Sequence, residues 1–209
     1  MKSRQKFIIG IDEVGRGALA GPVVVAAAAV AANFKTQGTR HKLGMLRDSK
    51  KLTQKQREAW FAYLKGHPGI GFAVARIYPR GIERLNISSA ANLAAKRACK
   101  RLISVLRPPS SVARIYLDGG LFLGSKQSQP PNAATLVKGD EKITAIKIAS
   151  IIAKVHRDRL MCRLAKKYAA YGFDIHKGYG TKNHYAALKK FGISAVHRKT
   201  FCNFDVKAK

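Results

Sequence analysis

The acidic residues of the chain, eleven among 209, are the groups whose spacing suggests chemistry. Asp12 with Glu13, Asp118 and Asp140 each follow a run of apolar residues of the kind that forms a buried strand. If those strands are neighbours in one sheet, their carboxylates meet at one edge. Carboxylate oxygens suit Mg²⁺ and Mn²⁺, and two such ions about 4 Å apart can assist phosphodiester hydrolysis. The four acids therefore predict a metal site suited to a nuclease.

Each acid taken alone also has an ordinary structural interpretation. Asp118 precedes a glycine and could occupy a turn, and Asp140 could cap the helix that follows it. Asp158 lies between two arginines in a predicted helix, where a structural ion pair is favoured over a catalytic role.

Asp12 and Glu13 present a geometric difficulty because successive residues of a regular strand face opposite sides of the sheet. We expect the chain to bend at this pair so that both carboxylates reach the site. The glycines that begin at Gly15 would permit such a bend.

The elements that must position these acids follow from hydrophobic periodicity. Apolar runs predict strands over residues 7–11, 23–30, 71–77, 113–117 and 135–138. Helical spacing predicts helices over residues 53–65, 88–106, 144–169 and 182–191. Thr53 is expected to cap the first of them, and Ser88 or Ser89 the second. This order of elements predicts an α/β sheet flanked by helices, with a more helical C-terminal part.

The charge balance points to a polyanionic partner. Forty Lys and Arg stand against eleven acids, which gives a formal net charge of +29. Nucleic acid is the simplest partner that would neutralise a surface this basic, although a merely soluble basic protein remains an alternative. The basic residues are spread along the chain without a single run, which suits a folded surface that follows a duplex.

The cysteines and the apolar runs exclude other classes of protein. Cys99, Cys162 and Cys202 are odd in number and form no CxxC pair, so neither a zinc site nor a complete disulfide framework is indicated. We expect buried free thiols in a reducing compartment. The most apolar stretch, residues 23–32, is far shorter than a bilayer span, and no secretory signal is apparent. A cytoplasmic protein without a membrane anchor is predicted.

Seven motifs stand in a fixed order along nearly the whole chain. They are GIDEVGRGALAGPVV (residues 10–24), DSKKLT (48–53), YLDG (116–119), KGDEK (138–142), ASIIAKVHRDRLM (149–161), YGFDIHKGYGT (171–181) and HRKTF (197–201). Together they resemble the ribonuclease HII family. One acidic pair would be weak evidence, but seven ordered motifs make a chance resemblance negligible.

The resemblance implies a fold, an activity and its partners. It implies one ribonuclease H-like domain over residues 1–209, with a mixed-sheet core to about residue 169 and a C-terminal helical extension over about 170–209. The implied activity cuts the RNA strand of RNA–DNA hybrids and cuts 5′ of single ribonucleotides in duplex DNA, leaving 3′-hydroxyl and 5′-phosphate ends. Divalent Mg²⁺ or Mn²⁺ is implied, with two ions when substrate is bound. A monomer is expected, and a sliding clamp is a candidate partner.

The site residues are carried over position by position. The family's metal-binding carboxylates fall on Asp12, Glu13, Asp118 and Asp140, the acids already selected from the strand ends. The family's glycine-arginine-glycine motif, which contacts the ribose 2′-hydroxyl, matches residues 15–17. Tyr179 matches a tyrosine whose ring packs on a sugar and whose hydroxyl meets the 2′-hydroxyl. The full set of implied substrate-binding residues is Gly15, Arg16, Gly17, Ser49, Lys50, Lys51, Ser150, Lys154 and Tyr179.

The chain departs from the family pattern at three positions. Ala18 and Gly180 stand where the family often has proline, so substrate preference could shift while the chemistry is kept. Lys147 stands where small residues are common in the family, and it could add a phosphate contact. Histidines 176, 184 and 197 could assist with phosphate or leaving group, but a structural role is favoured for each.

Three other functions compete with this interpretation. Ribonuclease HIII shares the carboxylates but normally carries an extra N-terminal domain and lacks the glycine-arginine-glycine motif. A non-catalytic basic protein that binds hybrids would need no carboxylates, and four of them would weaken binding to phosphates unless metals offset them. A protein that compacts duplex DNA would need neither these acids nor Tyr179.

Overall fold

The computed structural model describes residues 6–34, 43–106 and 111–202. Over these residues the strands form one mixed sheet in the order β3-β2-β1-β4-β5. The antiparallel pairs are β1 with β2 and β2 with β3, and the parallel pairs are β1 with β4 and β4 with β5. The bounds are β1 (Lys6–Val14), β2 (Val23–Ala31), β3 (Ile70–Ile77), β4 (Ser111–Asp118) and β5 (Ala133–Leu136). The predicted α/β fold with helices around a sheet is confirmed.

The four predicted helices are present, and three short helices, α2, α4 and α6 in the numbering that follows, were not predicted. The helices are α1 (Gln54–Gly66), α2 (Pro79–Leu85), α3 (Ile87–Val105), α4 (Gly139–Lys142), α5 (Thr144–Lys167), α6 (Phe173–His176) and α7 (Lys182–Phe191). Thr53 caps α1 as predicted, in a reciprocal pair of hydrogen bonds with Gln56. The cap of α3 is Asn86, whose side chain accepts from the N–H of Ser89, so the prediction of Ser88 or Ser89 was wrong. The short α2, which begins at Pro79, was not predicted.

Helices cover both faces of the sheet, and β2 is buried along its whole length. One core joins alternate residues of β2, beginning at Val23, to the alanine-rich inner side of α3. A second core joins the intervening residues, such as Ala26, to α1 and α5. Because helices bury both faces of β2, its sequence is a continuous apolar run. Small alanines on β2 and α3 allow the two elements to pack closely.

The long helix α5 crosses β1 most closely at Gly10. A Cβ atom added to Gly10 would lie 2.1 Å from the backbone carbon of Ala145. No side chain fits between strand and helix at this crossing, so glycine is required by packing and sets the height of α5 above the sheet.

The predicted bend at the acidic pair is wrong. Strand β1 stays regular through Asp12 and Glu13, and its pairing with β2 continues as far as Val14 opposite Val24. The unbroken apolar partner strand holds the register, so the two carboxylates leave opposite faces of the sheet. Asp12 lies on the α5 face and Glu13 on the α3 face.

Asp140 does not end a strand. The prediction of a strand over residues 135–138 is corrected, because β5 ends at Leu136. Lys138 adopts a left-handed conformation with φ 55°, which turns the chain into α4 and places Asp140 in that short helix.

The C-terminal part is attached to the loop that joins β1 and β2. A third apolar cluster joins two residues of this loop, Leu19 and Ala20, to Met161, Phe173 and Leu188. An isolated bridge pairs Ala20 with His197.

Within the described ranges no helix is both long enough and apolar enough to span a membrane. Of the predicted buried thiols, Cys99 and Cys202 are buried and Cys162 is partly exposed.

Candidate active site

Asp12 is buried beside α5 and is held by hydrogen bonds. Its Oδ1 accepts from the backbone N–H of Glu13 at 2.7 Å, and its carboxylate is also bonded by the Ser150 hydroxyl. Asp118, at the end of the neighbouring strand, accepts from the N–H of Gly139 at 2.7 Å. That hydrogen bond connects the end of β4 to the start of α4, the short helix that carries Asp140.

Three acids of this cluster have raised pKa values. Burial raises the pKa of Asp12 well above its usual value, and repulsion from Glu13 raises it further. Burial also raises the pKa of Glu13 although Arg16 opposes the change. The pKa of Asp140 is raised by burial and then by the charge of Asp118. A bound cation would relieve this repulsion.

The donor set fits a hard divalent cation. All four groups are carboxylates, and the Oε2 atom of Glu13 is buried without a hydrogen-bond partner in the structure. Among residues 6–34, 43–106 and 111–202, however, no three His, Cys, Asp or Glu side chains cluster closely enough to enclose one ion. Mg²⁺ commonly takes one or two carboxylates and keeps several waters, so this wider spacing remains compatible with it.

A short basic segment flanks the carboxylates. Ser49 to Lys51 form a 3₁₀ turn, capped by the side chain of Asp48. The Lys50 ammonium lies 3.8 Å from Asp140 Oδ2, and its side chain is 79% exposed. Partial burial lowers the pKa of Lys50, but the nearby carboxylates outweigh it and the pKa is raised. Lys51 is paired at 3.3 Å with Glu141, outside the four-carboxylate set.

The loop between β1 and β2 is held by the buried guanidinium of Arg198. Arg198 donates to the backbone oxygens of Gly15 and Arg16, both at 2.7 Å, and to that of Gly21 at 3.0 Å. Its burial, together with the positive charge of Arg157, lowers its pKa to about 9.

Arg157 fixes the other side of the loop and lies against Tyr179. It donates to the carbonyls of Ala20 at 3.1 Å, Pro22 at 3.1 Å and Lys177 at 2.8 Å. Its guanidinium carbon is 5.2 Å from the centre of the Tyr179 ring, a cation–π distance.

Contacts connect this loop to the carboxylates. Arg16 pairs with Glu13 at 3.4 Å and donates to the Ser88 hydroxyl at 3.1 Å. Gly15 has φ 88°, and a Cβ atom there would lie 2.2 Å from Arg157 Nε, so this glycine is needed both for its conformation and for space. Gly17 is exposed with open space around it. Arg157 thus lies against both Gly15 and the Tyr179 ring, and Arg16 links the same loop to Glu13.

The family model described as Ribonuclease HII matches residues 9–204 of the chain. The chain belongs to the ribonuclease HII family. A ribonuclease HII of Chloroherpeton thalassium is 42% identical over 196 residues, covering 94% of this chain and 90% of that one. A ribonuclease HII of Coxiella burnetii is 42% identical over 195 residues, covering 93% and 88%.

A solved structure supports the same fold. In the PCNA:RNase HII complex from Archaeoglobus fulgidus, the similar chain has a TM-score of 0.67 and 27% identity, and 97% of each chain is covered. As a member of the ribonuclease HII family, the chain is a ribonuclease H, a hydrolase of phosphodiesters. The alternatives of a non-catalytic hybrid-binding protein and of a protein that only compacts DNA are therefore set aside.

Two of the implied substrate-binding positions of this ribonuclease HII are occupied by internal contacts. Ser150 is buried, and its hydroxyl lies 2.8 Å from that of Ser49 in addition to its bond with Asp12. The Lys154 ammonium binds Asp158 at 2.8 Å, and Arg57 completes the pairing of Asp158 at 3.5 Å. Asp158 thus forms structural ion pairs with Lys154 and Arg57, and a structural role was predicted for it.

Of the three departures from the family pattern, the structure explains Gly180 and locates Ala18 and Lys147. A Cβ atom on Gly180 would lie 2.9 Å from the Tyr185 hydroxyl, so the packing of that ring favours glycine. Ala18 is fully buried in the loop. Lys147 lines a cavity of about 350 Å³ together with Arg47 and Lys51, on the side of α4 next to Asp140.

Arg157 and Arg198, which hold the loop beside the site, were not predicted as functional residues. Both are fully buried, and the oxygens that they bind lie far away along the chain. A signal existed for Arg157, which occupies a core-facing position of α5 between the buried residues Ala153 and Met161, one turn away on either side. A charge at such a position indicates a fixed internal partner.

Proposed function

We propose that this ribonuclease H cuts the RNA strand of RNA–DNA hybrids and cuts 5′ of single ribonucleotides in duplex DNA, leaving 3′-hydroxyl and 5′-phosphate ends. One observation carries the proposal: the adjacent acids Asp12 and Glu13 are followed by a loop that two buried arginines hold in place, and Tyr179 lies against one of those arginines. Acids placed to bind metal beside a surface that can approach a ribose suit an enzyme that selects RNA.

Asp12, Glu13, Asp118 and Asp140 would hold Mg²⁺ or Mn²⁺, with two ions in the substrate complex. When bound, the metal supplies activation of the attacking water and stabilisation of charge on the phosphate. The unpartnered Oε2 of Glu13 and the raised pKa values of Asp12, Glu13 and Asp140 support this assignment. The hydrogen bonds from Ser150 and Gly139 orient Asp12 and Asp118 within the site.

Recognition of the ribonucleotide is assigned to the loop and to Tyr179. Gly15, Arg16 and Gly17 would approach the 2′-hydroxyl and the adjacent phosphates, and the Tyr179 ring would pack on the sugar. The basic turn of Ser49, Lys50 and Lys51 would contact the phosphate backbone, and the exposed Lys50 ammonium supports this role. For Ser150 and Lys154 we propose an indirect contribution, through Asp12 and Asp158, because their polar groups are bound inside the protein.

The wider setting follows from this activity. An enzyme of this specificity would act in the removal of ribonucleotides left in DNA during replication and in ribonucleotide excision repair. We propose that it works in the cytoplasm as a monomer built as a single catalytic domain. The Archaeoglobus fulgidus relative is in complex with PCNA, which supports a sliding clamp as a partner here.

Substitution of the carboxylates tests the catalytic assignment. Asp12→Asn and Asp118→Asn should each abolish cleavage of a duplex containing one ribonucleotide, because each removes a metal ligand. Binding to that duplex should be intact or slightly stronger, since a charge that repels phosphate is lost. Cleavage would be followed on a labelled duplex with Mg²⁺, with Mn²⁺ and with EDTA, and affinity by fluorescence anisotropy.

Glu58→Gln is the matched control, because Glu58 is an acid outside the carboxylate set and pairs with Arg159, which has no assigned role in the site. It should cleave like the unaltered protein. Turnover near the unaltered rate in Asp12→Asn or Asp118→Asn, or full activity in EDTA, would refute the proposed metal site.

A further inference from the structure

Two histidines outside the carboxylate site are buried and bonded to each other. His184 lies in the first turn of α7 and His197 follows that helix, with exposures of 0% and 3%. Their Nε2 atoms are 3.1 Å apart. Phe173 and Tyr171 pack around them, with ring centres 5.6 Å from His184 and 4.8 Å from His197 respectively. The pair therefore lies in a dry apolar cluster with no access to a phosphate.

The hydrogen bonds at either end of the pair fix the position of each proton. The backbone N–H and the hydroxyl of Ser194 each lie 2.9 Å from His197 Nδ1, and because the N–H can only donate, that nitrogen is assigned as the acceptor. A neutral His197 ring then carries its proton on Nε2 and donates it to Nε2 of His184. His184 must in turn carry its proton on Nδ1, which donates to the backbone oxygen of Tyr179 at 2.9 Å. Every donor in this relay points in one direction, from Ser194 toward Tyr179.

Both rings are suited to stay neutral. Burial and the neighbouring His184 lower the pKa of His197 to about 4. Burial also lowers the pKa of His184, and His176, which is stacked on it at 4.4 Å, adds to this effect. A relay with one proton for each ring is therefore the form present at neutral pH.

The relay ends at the residue that the proposed function assigns to the ribose. The N–H of Tyr179 donates to the carbonyl of His176 at 3.0 Å. The carbonyl of Tyr179 receives the Nδ1–H of His184, and Arg157 lies against the ring. His176 is fixed in its turn, because its Nε2 lies 2.6 Å from the carbonyl of Tyr171. The carbonyl of Tyr179 is thus anchored to the side chain of the buried His184 and to the N–H of Thr181, and its N–H to the backbone of the partly exposed His176.

We propose that His184 and His197 are positioning residues for Tyr179, and that their relay sets how sharply the enzyme distinguishes a single embedded ribonucleotide from a continuous hybrid. The inference rests on the proposed role of Tyr179 in reading the ribose. The histidines touch neither the carboxylates nor, by their burial, the substrate. Their effect passes through the orientation of Tyr179, so it should alter recognition more than the chemical step.

Variants of His184 in the full chain separate positioning from folding. His184→Phe keeps the ring but loses both hydrogen bonds, whereas His184→Asn keeps a donor close to the position of Nδ1. The bond that bears on Tyr179 is the one to its carbonyl. For the loss of that bond we expect His184→Phe to lower kcat/KM on a duplex with a single ribonucleotide about 2- to 12-fold, with a smaller loss on a continuous hybrid. His184→Asn should restore most of the loss. His156→Phe is the matched control, because His156 is a partly buried histidine outside the relay whose Nε2 has no partner in the structure.

A double-mutant cycle tests whether the effect passes through Tyr179. In a Tyr179→Ala background, His184→Phe should cause no further loss on the single-ribonucleotide duplex. The inference is overturned if His184→Phe cleaves that duplex like the unaltered protein, if it lowers both substrates equally, or if its effect adds fully to that of Tyr179→Ala. If Tyr179→Ala alone leaves cleavage unchanged, the proposed ribose recognition by Tyr179 fails instead.

The tautomers provide a test that does not depend on activity or on the folding of a variant. In ¹⁵N-edited NMR spectra of the unaltered protein at neutral pH, His184 should carry its proton on Nδ1 and His197 on Nε2. The opposite assignment at either ring, or a doubly protonated ring, would break the relay and overturn the inference.

Discussion

At the scale of single residues, two buried charges hold the loop beside the site, and backbone groups stabilise both of them. Arg157 and Arg198 are fully buried, yet the bonds that hold them go to backbone carbonyls rather than to carboxylates. Several fixed carbonyl dipoles thus take the place that a carboxylate would otherwise fill beside each of these two guanidinium groups.

Substitutions of Tyr179 should change how well the enzyme recognises a ribonucleotide. Tyr179→Ala loses both the sugar packing and the bond to the 2′-hydroxyl, whereas Tyr179→Phe loses only the bond. A hydrogen bond contributes roughly 0.5–1.5 kcal/mol net, so the Phe variant should lose about 2- to 12-fold in kcat/KM on a single-ribonucleotide duplex and the Ala variant more. The loss should be smaller on a continuous hybrid, where neighbouring riboses offer other registers.

Calorimetry supplies the control for the Tyr179 variants. Metal binding to the free protein should be unchanged in both, because Tyr179 contacts Arg157 and backbone groups rather than the carboxylates. If Tyr179→Ala cuts the single-ribonucleotide duplex as fast as the unaltered protein, recognition must rest on Gly15, Arg16 and Gly17 alone.

At the scale of elements, the crossing of α5 over β1 fixes the height of the helix that carries Ser150. Gly10→Ala places a methyl group within 2.1 to 2.4 Å of backbone atoms of Ala145 and Ile146, which cannot rotate away. Overpacking of this kind typically costs about 1–3 kcal/mol, so the midpoint of urea unfolding should fall. Cleavage should fall as well, because Ser150 moves relative to Asp12.

Gly66→Ala is the comparison for Gly10→Ala. Gly66 ends α1, and an added Cβ atom meets nothing within 4 Å. Its unfolding midpoint should match or slightly exceed that of the unaltered protein, because alanine is the better helix former. Equal midpoints for the two alanine variants would show that α5 is not fixed by this contact.

The limits of sequence-based prediction also appear at this scale. Strong periodic elements such as α5 and β2 could be predicted because the helical and strand repeats depend only on neighbouring residues. The seven-residue α2 and the Asn86 cap could not, because several nearby residues can begin a helix and tertiary packing selects one. The bend expected at Asp12 and Glu13 did not occur, since a partner strand distant in sequence kept β1 straight.

The candidate site likewise contains residues that could be predicted from the sequence and contacts that could not. The strand-end acids could be selected from the sequence because each follows its own apolar run. The arginine contacts join residues 135 to 183 positions apart, except for the bond from Arg157 to Lys177. Such partners depend on how the finished fold brings segments together, and no local pattern encodes them.

At the scale of the whole molecule, the net charge of +29 should dominate affinity for nucleic acid. Contacts with phosphates release counterions, so binding to a hybrid duplex should weaken steeply between about 50 and 200 mM salt, by roughly 10³-fold if six phosphates are contacted. Anisotropy titrations of Asp118→Asn in a salt series would measure the slope without cleavage.

Lys50→Gln in that inactive background should reduce the slope of log affinity against log salt by about one, because one phosphate contact is removed. A flat salt dependence would contradict the proposal that backbone contacts provide most of the affinity. An unchanged slope in the Lys50 variant would remove that lysine from the contact surface.

The bonds from Arg198 to Gly15 and Arg16 span 183 and 182 positions of the chain. Because a ribosome releases the N-terminal residues first, the acidic pair and the glycine-arginine-glycine loop leave it long before Arg198 does. While the chain is still being translated, those two carbonyls lack their guanidinium partner and the loop lacks its support. A nascent chain is therefore expected to acquire its metal-binding acids before its ability to recognise a ribonucleotide, so selective binding begins only after synthesis has passed residue 198.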